Sequence, residues 1–423
     1  MSDGAAAGAG PPRRVEPLRL PGFRGLWLST SVGQVGAAVS VLAVDVLVID
    51  VLHASETQVG IVRAAQFLPY LLIGLVAGAY VDRWRRRPTL VGANLAQAVL
   101  LLVIPALHLA GALTVPATAL TLFGVAACGV IVAAAEQSYL PDLVPRGALV
   151  AANARIGQAA TVAQTSGPAF GGLVVALLTA PFALALTALA RLGSALLVAG
   201  IREVEPPPAP ERPRLWRGIG EGLRLVYRHR TLGPLAISTH VWFLANSAVT
   251  TVLGLFVLRD LDLSVAAYGL VLTAAGVGAL AGTLVSTRVA ARLGDGRTVV
   301  LGRALMVPAW VAGALTPADA ATWVPVLWLV AVQLVHGFGM GVEDAPEMGW
   351  WQLRTPRAML GRVNASRRSA NRTVAVVGAL LGGVLAGAVG YRWTFVTVAA
   401  VFAVAASVVA LSPMRDARIG AED

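Results

Sequence analysis

The sequence contains no lysine, a single cysteine and few charged residues of either sign. Cys128 stands alone, which excludes an intramolecular disulfide and a zinc site built on thiolates. Charged residues make up 13% of the chain, half of the ~25% that is typical of soluble domains. Hydrophobic residues make up 57%, so a polar surface cannot cover them. The composition predicts a bacterial polytopic membrane protein, because the missing lysine and abundant Ala, Gly and Val suggest a high-GC genome.

Long apolar runs recur along the whole chain. A transmembrane helix needs about 20 mainly apolar residues, and the sequence predicts twelve such spans. They lie at 26–51, 57–81, 89–110, 114–138, 154–178, 180–201, 231–258, 265–290, 298–316, 321–344, 364–388 and 391–412. The predicted domains are an N-terminal tail at 1–24, a first bundle at 25–201, a linker at 202–230, a second bundle at 231–412 and a C-terminal tail at 413–423.

The arginines indicate how the chain crosses the membrane. The tail at 1–24 has four Arg and no apolar core, so it is not a signal peptide and is expected to stay in the cytoplasm. With that start, 29 of the 33 Arg fall on the cytoplasmic side when the adjoining span ends are counted with each loop, including four in the region of loop 8–9 and six in the region of loop 10–11. This excess is the normal charge bias of cytoplasmic loops. The net charge of +11 therefore reflects topology rather than nucleic-acid binding, and both termini are predicted to be cytoplasmic.

The linker at 202–230 combines a proline run with an amphipathic pattern. Pro206 to Pro208 predict a semi-rigid extended spacer. After it, apolar residues recur at helical spacing opposite several Arg, which predicts a short helix lying on the anionic inner leaflet. A merely solvated linker is an equally good interpretation. The apolar residues are Trp216, Ile219, Leu223 and Val226.

The two halves of the chain repeat one another. At an offset of 211 residues, the segment 145–154 aligns with 356–365, and Glu136 aligns with Glu347. Polar and proline positions match in register, which chance apolar similarity would not produce. Two parallel six-span halves are a transporter architecture, in which the substrate binds between the halves near the middle of the membrane.

The run that follows span two has a physical interpretation of its own. Gly74 and Gly78 lie four residues apart, which lets another helix approach one face of the span. Asp82 then lies where it could meet the positive N-terminus of a facing helix, and the arginines could connect neighbouring helix ends. Alternatively, the arginines merely enforce the topology. The cluster also contains Arg83, Arg86 and Arg87.

This run resembles motif A of the major facilitator superfamily. The resemblance implies an all-α polytopic membrane protein with twelve transmembrane helices in two pseudo-symmetric six-helix bundles. It also implies a cytoplasmic gate in which Asp82 faces span eleven. In the second half Ala291 stands opposite Asp82 when Gly60 is aligned with Gly269, so this gate is expected to depend on Asp82 alone.

Span five contains a second recognisable run. Pro168 removes an intrahelical hydrogen bond and kinks the helix, while neighbouring glycines allow tight packing across the interface between the halves. The run is similar to motif C of proton-driven antiporters, although Ala163 replaces its first glycine. A Gly-Pro kink without that function is the alternative. The residues concerned are Gly167, Pro168, Gly171 and Gly172.

Together with segments starting at Leu26, Val59 and Leu140, these motifs resemble the exporter branch that includes the enterobactin exporter and macrolide efflux proteins. In this superfamily spans one, four, seven and ten line the cavity. Polar stripes on three of them are therefore candidates to contact substrate. They include Gln34 on span one, His240 and Ser247 on span seven, and Gln333, His336 and Met340 on span ten.

Charged residues inside a membrane are functional candidates by default. Asp45 and Arg63 each lie nine residues from the centre of the turn near Ala54, so they should lie at similar depth and pair. A pair that opens and closes during transport would bind and release a proton, whereas a static ion pair is an equally good interpretation. Glu136 and Glu343 are further candidates for proton coupling, and Arg191 in span six needs a partner.

No pattern in the sequence indicates catalysis, a cofactor or a metal. It has no GxxxxGK[ST] phosphate-binding loop and no metal-ligand spacing. The sequence thus predicts a monomeric plasma-membrane exporter that exchanges protons for a small amphipathic compound, such as a drug, antibiotic, siderophore or other secondary metabolite. An importer of a sugar, peptide or metabolite on the same fold is the first alternative. A non-transporting sensor or scaffold is the second alternative. The charged residues predicted inside the membrane argue against it, because a scaffold has no use for them.

Overall fold

The structure is a computed structural model that describes residues 16–74, 84–203, 215–356 and 359–419, without the side chains of 215–219 and 362. Within these ranges the chain is helical and has no strand. The helices of the first half are α1 (Pro21–Val46), α2 (Glu56–Leu72), α3 (Arg86–Leu109), α4 (Val115–Leu143), α5 (Leu149–Leu178) and α6 (Ala180–Ala199). Helix α7 (Leu215–Arg228) follows, and then α8 (Leu232–Leu255), α9 (Val265–Leu293), α10 (Asp295–Ala314), α11 (Trp323–Arg354), α12 (Leu360–Val389) and α13 (Tyr391–Ala410).

Each of the twelve predicted spans overlaps one of these helices, and α7 falls where the amphipathic linker helix was expected. Ten helices of the described ranges are long and apolar enough to cross a membrane. The two remaining predicted spans correspond to α2 and α10. The predicted span 57–81 extends beyond residue 74, where the described range ends. The largest boundary difference is in α11, which continues ten residues beyond the predicted end at 344.

The structure confirms the internal repeat down to single turns. Helix α1 ends in a π-helical turn at Leu47–Val51, and α8 ends in the same kind of turn at Phe256–Asp260, 209 residues later. Ser55 accepts a hydrogen bond from the first turn of α2, as Ser264 does from the first turn of α9. Such N-terminal caps satisfy amide groups that have no partner inside the helix. The same local chemistry therefore starts and ends equivalent helices in both halves.

The two halves meet through two equivalent glycine contacts. Gly172 of α5 lies against α9, where an added Cβ would be 3.3 Å from the carbonyl oxygen of Val265 and 3.4 Å from Gly269 Cα. Gly383 of α12 lies against α2, where an added Cβ would be 3.2 Å from Gly60 Cα. Small residues such as glycine let two helix backbones approach closely. We call this pair of contacts the glycine seam.

One end of the molecule, which carries the loops 52–55 and 261–264, is closed by side chains from both halves. We call it the gate end, and the opposite end, which carries α7, the linker end. A buried apolar cluster at the gate end contains Leu42 and Ile49 from the first half with Val252 and Phe256 from the second. Burying apolar side chains in one cluster holds the halves together there.

Candidate transport site

The charged pair expected from the sequence is present at the gate end. Arg63 Nη2 of α2 donates to Asp45 Oδ1 of α1 across 2.5 Å, and their side chains are only 11% and 5% exposed. Tyr268 of α9 donates its hydroxyl to the other carboxylate oxygen, Asp45 Oδ2, across 2.8 Å. Asp45 therefore accepts one hydrogen bond from its own half and one from the other. Its ionised form has both oxygens satisfied, which offsets the cost of burying the charge.

A second polar contact closes the same end. Arg259 donates to the backbone oxygen of Ala54 across 2.9 Å and forms an ion pair of 3.3 Å with Glu56. Tyr391 donates to the same Glu56 carboxylate across 2.8 Å. Both donors belong to the second half and both acceptors to the first. Opening the gate end would break this contact together with the Asp45–Tyr268 hydrogen bond.

The second half contains a buried charge cluster around Arg303. Arg303 of α10 has no exposed surface and donates to Glu343 across 2.9 Å and to Glu347 across 2.7 Å. Arg367 of α12 lies 3.5 Å from the same Glu347. The sequence analysis counted Arg303 with the arginines of the loop 8–9 region, whereas the structure places it inside α10, as the predicted span 298–316 implies. The residue lies inside α10 because two carboxylates of α11 compensate its charge.

Glu136 is the residue of the first half that the repeat aligns with Glu347. Thr30 of α1 donates to Glu136 across 3.0 Å, and Thr239 of α8 donates to Glu347 across the same distance. Arg191, whose partner the sequence left open, interacts electrostatically with Glu136. Asp45 pairs with Arg63 and not with Arg191.

The predicted cavity residues fall into two groups. Gln34 and Met340 are half-buried, and Gln333 is buried with its side-chain oxygen lacking any hydrogen-bond partner in the described chain. Gln34 and Asp45 share the face of α1 that is turned away from α6, because Gly36 lies against α6. Gln333 and Met340 lie one above the other along α11.

The remaining cavity candidates are engaged in helix contacts. Ser247 donates to the backbone oxygen of Ala375 on α12 across 2.6 Å. His336 is turned toward α10, where Trp310 Nε1 donates to its Nδ1 across 3.0 Å. Ser247 and His336 therefore stabilise the second bundle instead of forming an open wall.

His240 is the third residue of this kind. It lies between Asn371 of α12 (2.7 Å) and Tyr227 of α7 (2.6 Å), so both ring nitrogens have partners. Since Tyr227 belongs to the linker helix, His240 attaches that helix to the second bundle.

Part of motif A lies within the described residues. Gly74 faces α12, because an added Cβ would be 3.8 Å from Ser369 Oγ. Arg86 lies 3.7 Å from Asp142 at the end of α4, and Arg87 donates to the backbone oxygen of Ala199 at the end of α6. These arginines connect neighbouring helix ends, as the sequence predicted. Gly78, Asp82 and Arg83 lie outside the described residues.

The residues of motif C face two directions. Gly167 and Gly171 lie against α1, where an added Cβ on Gly171 would be 3.2 Å from Val39 Cα. Gly172 belongs to the glycine seam, and the carbonyl oxygen of Pro168 also faces Gly269 there. The expected contact across the interface between the halves is thus made by Pro168 and Gly172.

Sequence reasoning did not select Arg303 and Tyr268, which take part in these contacts, or Arg372, which contacts aromatic rings of α2 and α8. Arg303 and Arg372 had been counted as loop arginines, since charges near a predicted span boundary are normally outside the span. Arg372 lies inside α12, which begins at Leu360. Within the described ranges, no three His, Cys, Asp or Glu side chains are close enough to hold a metal ion.

Comparison with known proteins agrees with this architecture. Residues 13–420 match the family described as transmembrane secretion effectors. An MFS-type transporter of Sinorhizobium fredii is 28% identical over 87% of this chain and 89% of its own length. The multidrug efflux pump Tap of Mycobacterium tuberculosis is 29% identical over 88% of each chain.

Solved structures show the same fold. An inward-facing, occupied bacterial homologue of the lysosomal transporter Spinster has a TM-score of 0.75 at 15% identity, covering 96% of this chain and all of its own. The nucleoside transporter NupG has a TM-score of 0.74 at 12% identity, covering 92% and 98%. The chain belongs to the transmembrane secretion effector family of major facilitator superfamily transporters.

Proposed function

We propose that this transporter exports a small amphipathic compound in exchange for protons, by alternating access between its two halves. Its curated relatives include a protein named as a multidrug efflux pump, which supports export. The Arg excess on one side supports a cytoplasmic linker end and an extracellular gate end. The gate end is then closed, and substrate enters between the halves from the cytoplasm.

The contact between Asp45, Arg63 and Tyr268 is the observation on which proton coupling rests. The carboxylate of Asp45 receives hydrogen bonds from both halves, so it holds the gate end closed while it is ionised. A proton arriving from outside would remove its charge and weaken the bond to Arg63. Opening of the gate end would then separate Tyr268 from Asp45. When the gate end closes again, Arg63 and Tyr268 would stabilise the ionised carboxylate, and the proton would leave to the cytoplasm.

Everted membrane vesicles with an acidic lumen provide the test. Two fluorescent probes share one aromatic body and carry permanent opposite charges: pyrenesulfonate and pyrenemethyl-trimethylammonium. We expect the wild-type protein to accumulate at least one of them and to release lumenal protons while doing so. Asp45→Asn should abolish this driven uptake, because the neutral side chain cannot exchange a proton.

The matched control is Asp262→Asn in the gate-end loop. Asp262 has a positive φ of 47°, which asparagine also tolerates, so this variant should transport normally. Full gradient-driven uptake by Asp45→Asn would assign Asp45 a structural role. Probe movement only in the opposite direction would favour the importer.

A further inference from the structure

Arg372 lies in an aromatic environment that both halves build. Its guanidinium carbon is 5.0 Å from the ring centre of Tyr70, 5.4 Å from that of Phe67 and 6.0 Å from that of Phe243. The first two rings belong to α2 and the third to α8. Cation–π attraction operates up to about 6 Å, so these rings hold the guanidinium in place at the boundary between the halves.

The position of Arg372 is deep within the bundle. It follows the first residue of α12 by twelve positions, which is about 18 Å along a helix at 1.5 Å per residue. Arg372 lies on the face of α12 that contacts α2 at Ala379, seven residues further on, and beside Asn371, which contacts α8. Arg372 is therefore on a wall between the halves, where the substrate of such a transporter binds.

Among the residues that the structure describes, no side chain compensates the charge of Arg372. No carboxylate of the described chain lies within 4.0 Å of it, and its electrostatic neighbours are Tyr70 and the like-charged Arg368. It makes no hydrogen bond to any described residue, and its nitrogens are not among the fully enclosed atoms. By contrast, Arg63 and Arg303 are each bonded to carboxylates.

The nearby carboxylates are already engaged. Glu343 is bonded to Arg303, and Glu347 is shared between Arg303 and Arg367. Asp344 is exposed, and its electrostatic partners are Glu347 and Arg367. None of the three is available to neutralise Arg372, which faces the aromatic rings of α2 and α8 instead.

The chemistry that this arrangement lacks is an anion. The guanidinium carries five N–H donors in its plane, and none of them has a hydrogen-bond partner among the described residues. A carboxylate, sulfonate or phosphate could accept two of them side by side. The aromatic side chains around the donors offer an apolar surface for the body of the same molecule.

We propose that Arg372 recognises the acidic group of the substrate, which is therefore an amphipathic anion with an aromatic or otherwise flat apolar body. This inference deepens the proposed export function and rests on it. The aromatic rings of Phe67, Tyr70 and Phe243 contact the apolar body, while the guanidinium edge binds the acid.

The test is equilibrium binding to the purified full-length protein in phosphatidylcholine nanodiscs, which does not depend on transport. Fluorescence anisotropy measures the dissociation constants of pyrenesulfonate and pyrenemethyl-trimethylammonium. We expect the anion to bind at least tenfold more tightly than the cation. Arg372→Gln should weaken anion binding roughly ten- to hundredfold, the range expected for loss of hydrogen bonds to a charged group, and should leave cation binding unchanged or improved.

Two matched variants make the result specific. Arg292→Gln removes an exposed charge of α9 and should not change either constant. Arg372→Lys keeps the charge without the planar pair of donors and should bind the anion with intermediate affinity. Equal affinities for both probes, no anion binding by the wild type, or an equal loss in Arg372→Gln and Arg292→Gln would each overturn the inference.

Two further outcomes separate this inference from its alternatives. Added phosphatidylglycerol that displaces pyrenesulfonate from the wild type would identify a lipid headgroup as the occupant, and would overturn the assignment to a transported compound. Specific anion binding without proton-driven uptake would keep the Arg372 site and reject the export function. Proton-driven uptake of the cation alone would keep the export function and reject the Arg372 site.

Discussion

Gly254 stands 209 residues after Asp45, at the equivalent turn of the second half, and lies directly beneath Tyr268. The Cβ that Gly254 lacks would be 3.0 Å from the Tyr268 hydroxyl and 3.4 Å from its Cζ atom. The missing side chain gives that hydroxyl room to reach Asp45, 2.8 Å away. The repeat therefore supplies a carboxylate in one half and, at the matching position of the other, the space for the group that binds it.

Replacing Gly254 should weaken the gate end. In Gly254→Ala the new Cβ displaces the Tyr268 ring, and the hydrogen bond to Asp45 is lost. A hydrogen bond to a charged group contributes about 1.5–3 kcal/mol, so the gate should open roughly ten- to hundredfold more often. The measurement is the labelling rate of Ala54→Cys by a hydrophilic maleimide in a Cys128→Ala background, since Ala54 is only 1% exposed.

A double substitution checks that interpretation. Tyr268→Phe should raise labelling to a similar extent, and combining it with Gly254→Ala should add little, because both remove the same bond. Gly92→Ala is the control, since an added Cβ there meets nothing within 4 Å. Additive effects would show that Gly254 acts on the gate by another route.

The glycine seam should respond alike in both halves. Gly172→Leu and Gly383→Leu each insert a side chain between two backbones, which forces the halves apart near the gate end. Overpacking of this kind costs about 1–3 kcal/mol. Both variants should raise the labelling of the same reporter cysteine, whereas Gly92→Leu should not. A response in only one of them would mean that the two contacts are not equivalent in function.

Arg303 should be essential for the stability of the second bundle. Arg303→Ala leaves Glu343 and Glu347 without their shared donor, and breaking a buried ion pair costs about 3–5 kcal/mol. We expect a clear fall in the midpoint of thermal unfolding. Arg297→Ala removes an arginine of the same helix that is 58% exposed and should cause almost none. Equal stability of the two variants would contradict the cluster.

The repeat and the Asp45–Arg63 pair could be predicted because both depend on counting along the chain. Residues equally distant from a turn lie at equal depth, and opposite charges at that depth pair. Arg303 could not be recognised in this way, since its compensation comes from Glu343 on another helix. His336 shows the same limit. Helical spacing groups it with Gln333, but only the packing of α10 against α11 turns its ring toward Trp310.

The start of α8 should be sensitive to acid through His229, which lies before the membrane-spanning segment. Its Nδ1 accepts hydrogen bonds from the backbone amides of Thr231 (3.2 Å) and Leu232 (3.3 Å). Burial lowers the pKa of His229 below 6.5, and the positive charge of Arg354 acts in the same direction. The neutral form is thus favoured in the folded protein, so its stabilisation is complete above 6.5 and is lost as the pH falls below it.

The measurement is the midpoint of thermal unfolding between about pH 5 and 8, where histidine titrates. His229→Asn should flatten the acidic side of the profile, because its amide can cap α8 at every pH. His108→Asn, at the end of α3, should leave the profile unchanged. An unaltered acidic decline in His229→Asn would assign the pH dependence to other groups.

The gate has a carboxylate at Asp45 but none at the equivalent position of the second half, Gly254. This limits the number of charges on which the membrane voltage can act in each turnover. Under the proposed proton exchange, a single carboxylate at the gate would carry one proton inward in each turnover. If the compound leaving carries one negative charge, two charges are transferred in the same electrical sense. Each is worth about 2.3 kcal/mol per 100 mV. At about 100 mV, voltage alone would then support a concentration ratio of the anion of roughly three powers of ten, at about 1.4 kcal/mol for each. A monovalent cation would gain nothing from the voltage, because its outward charge cancels that of the inward proton.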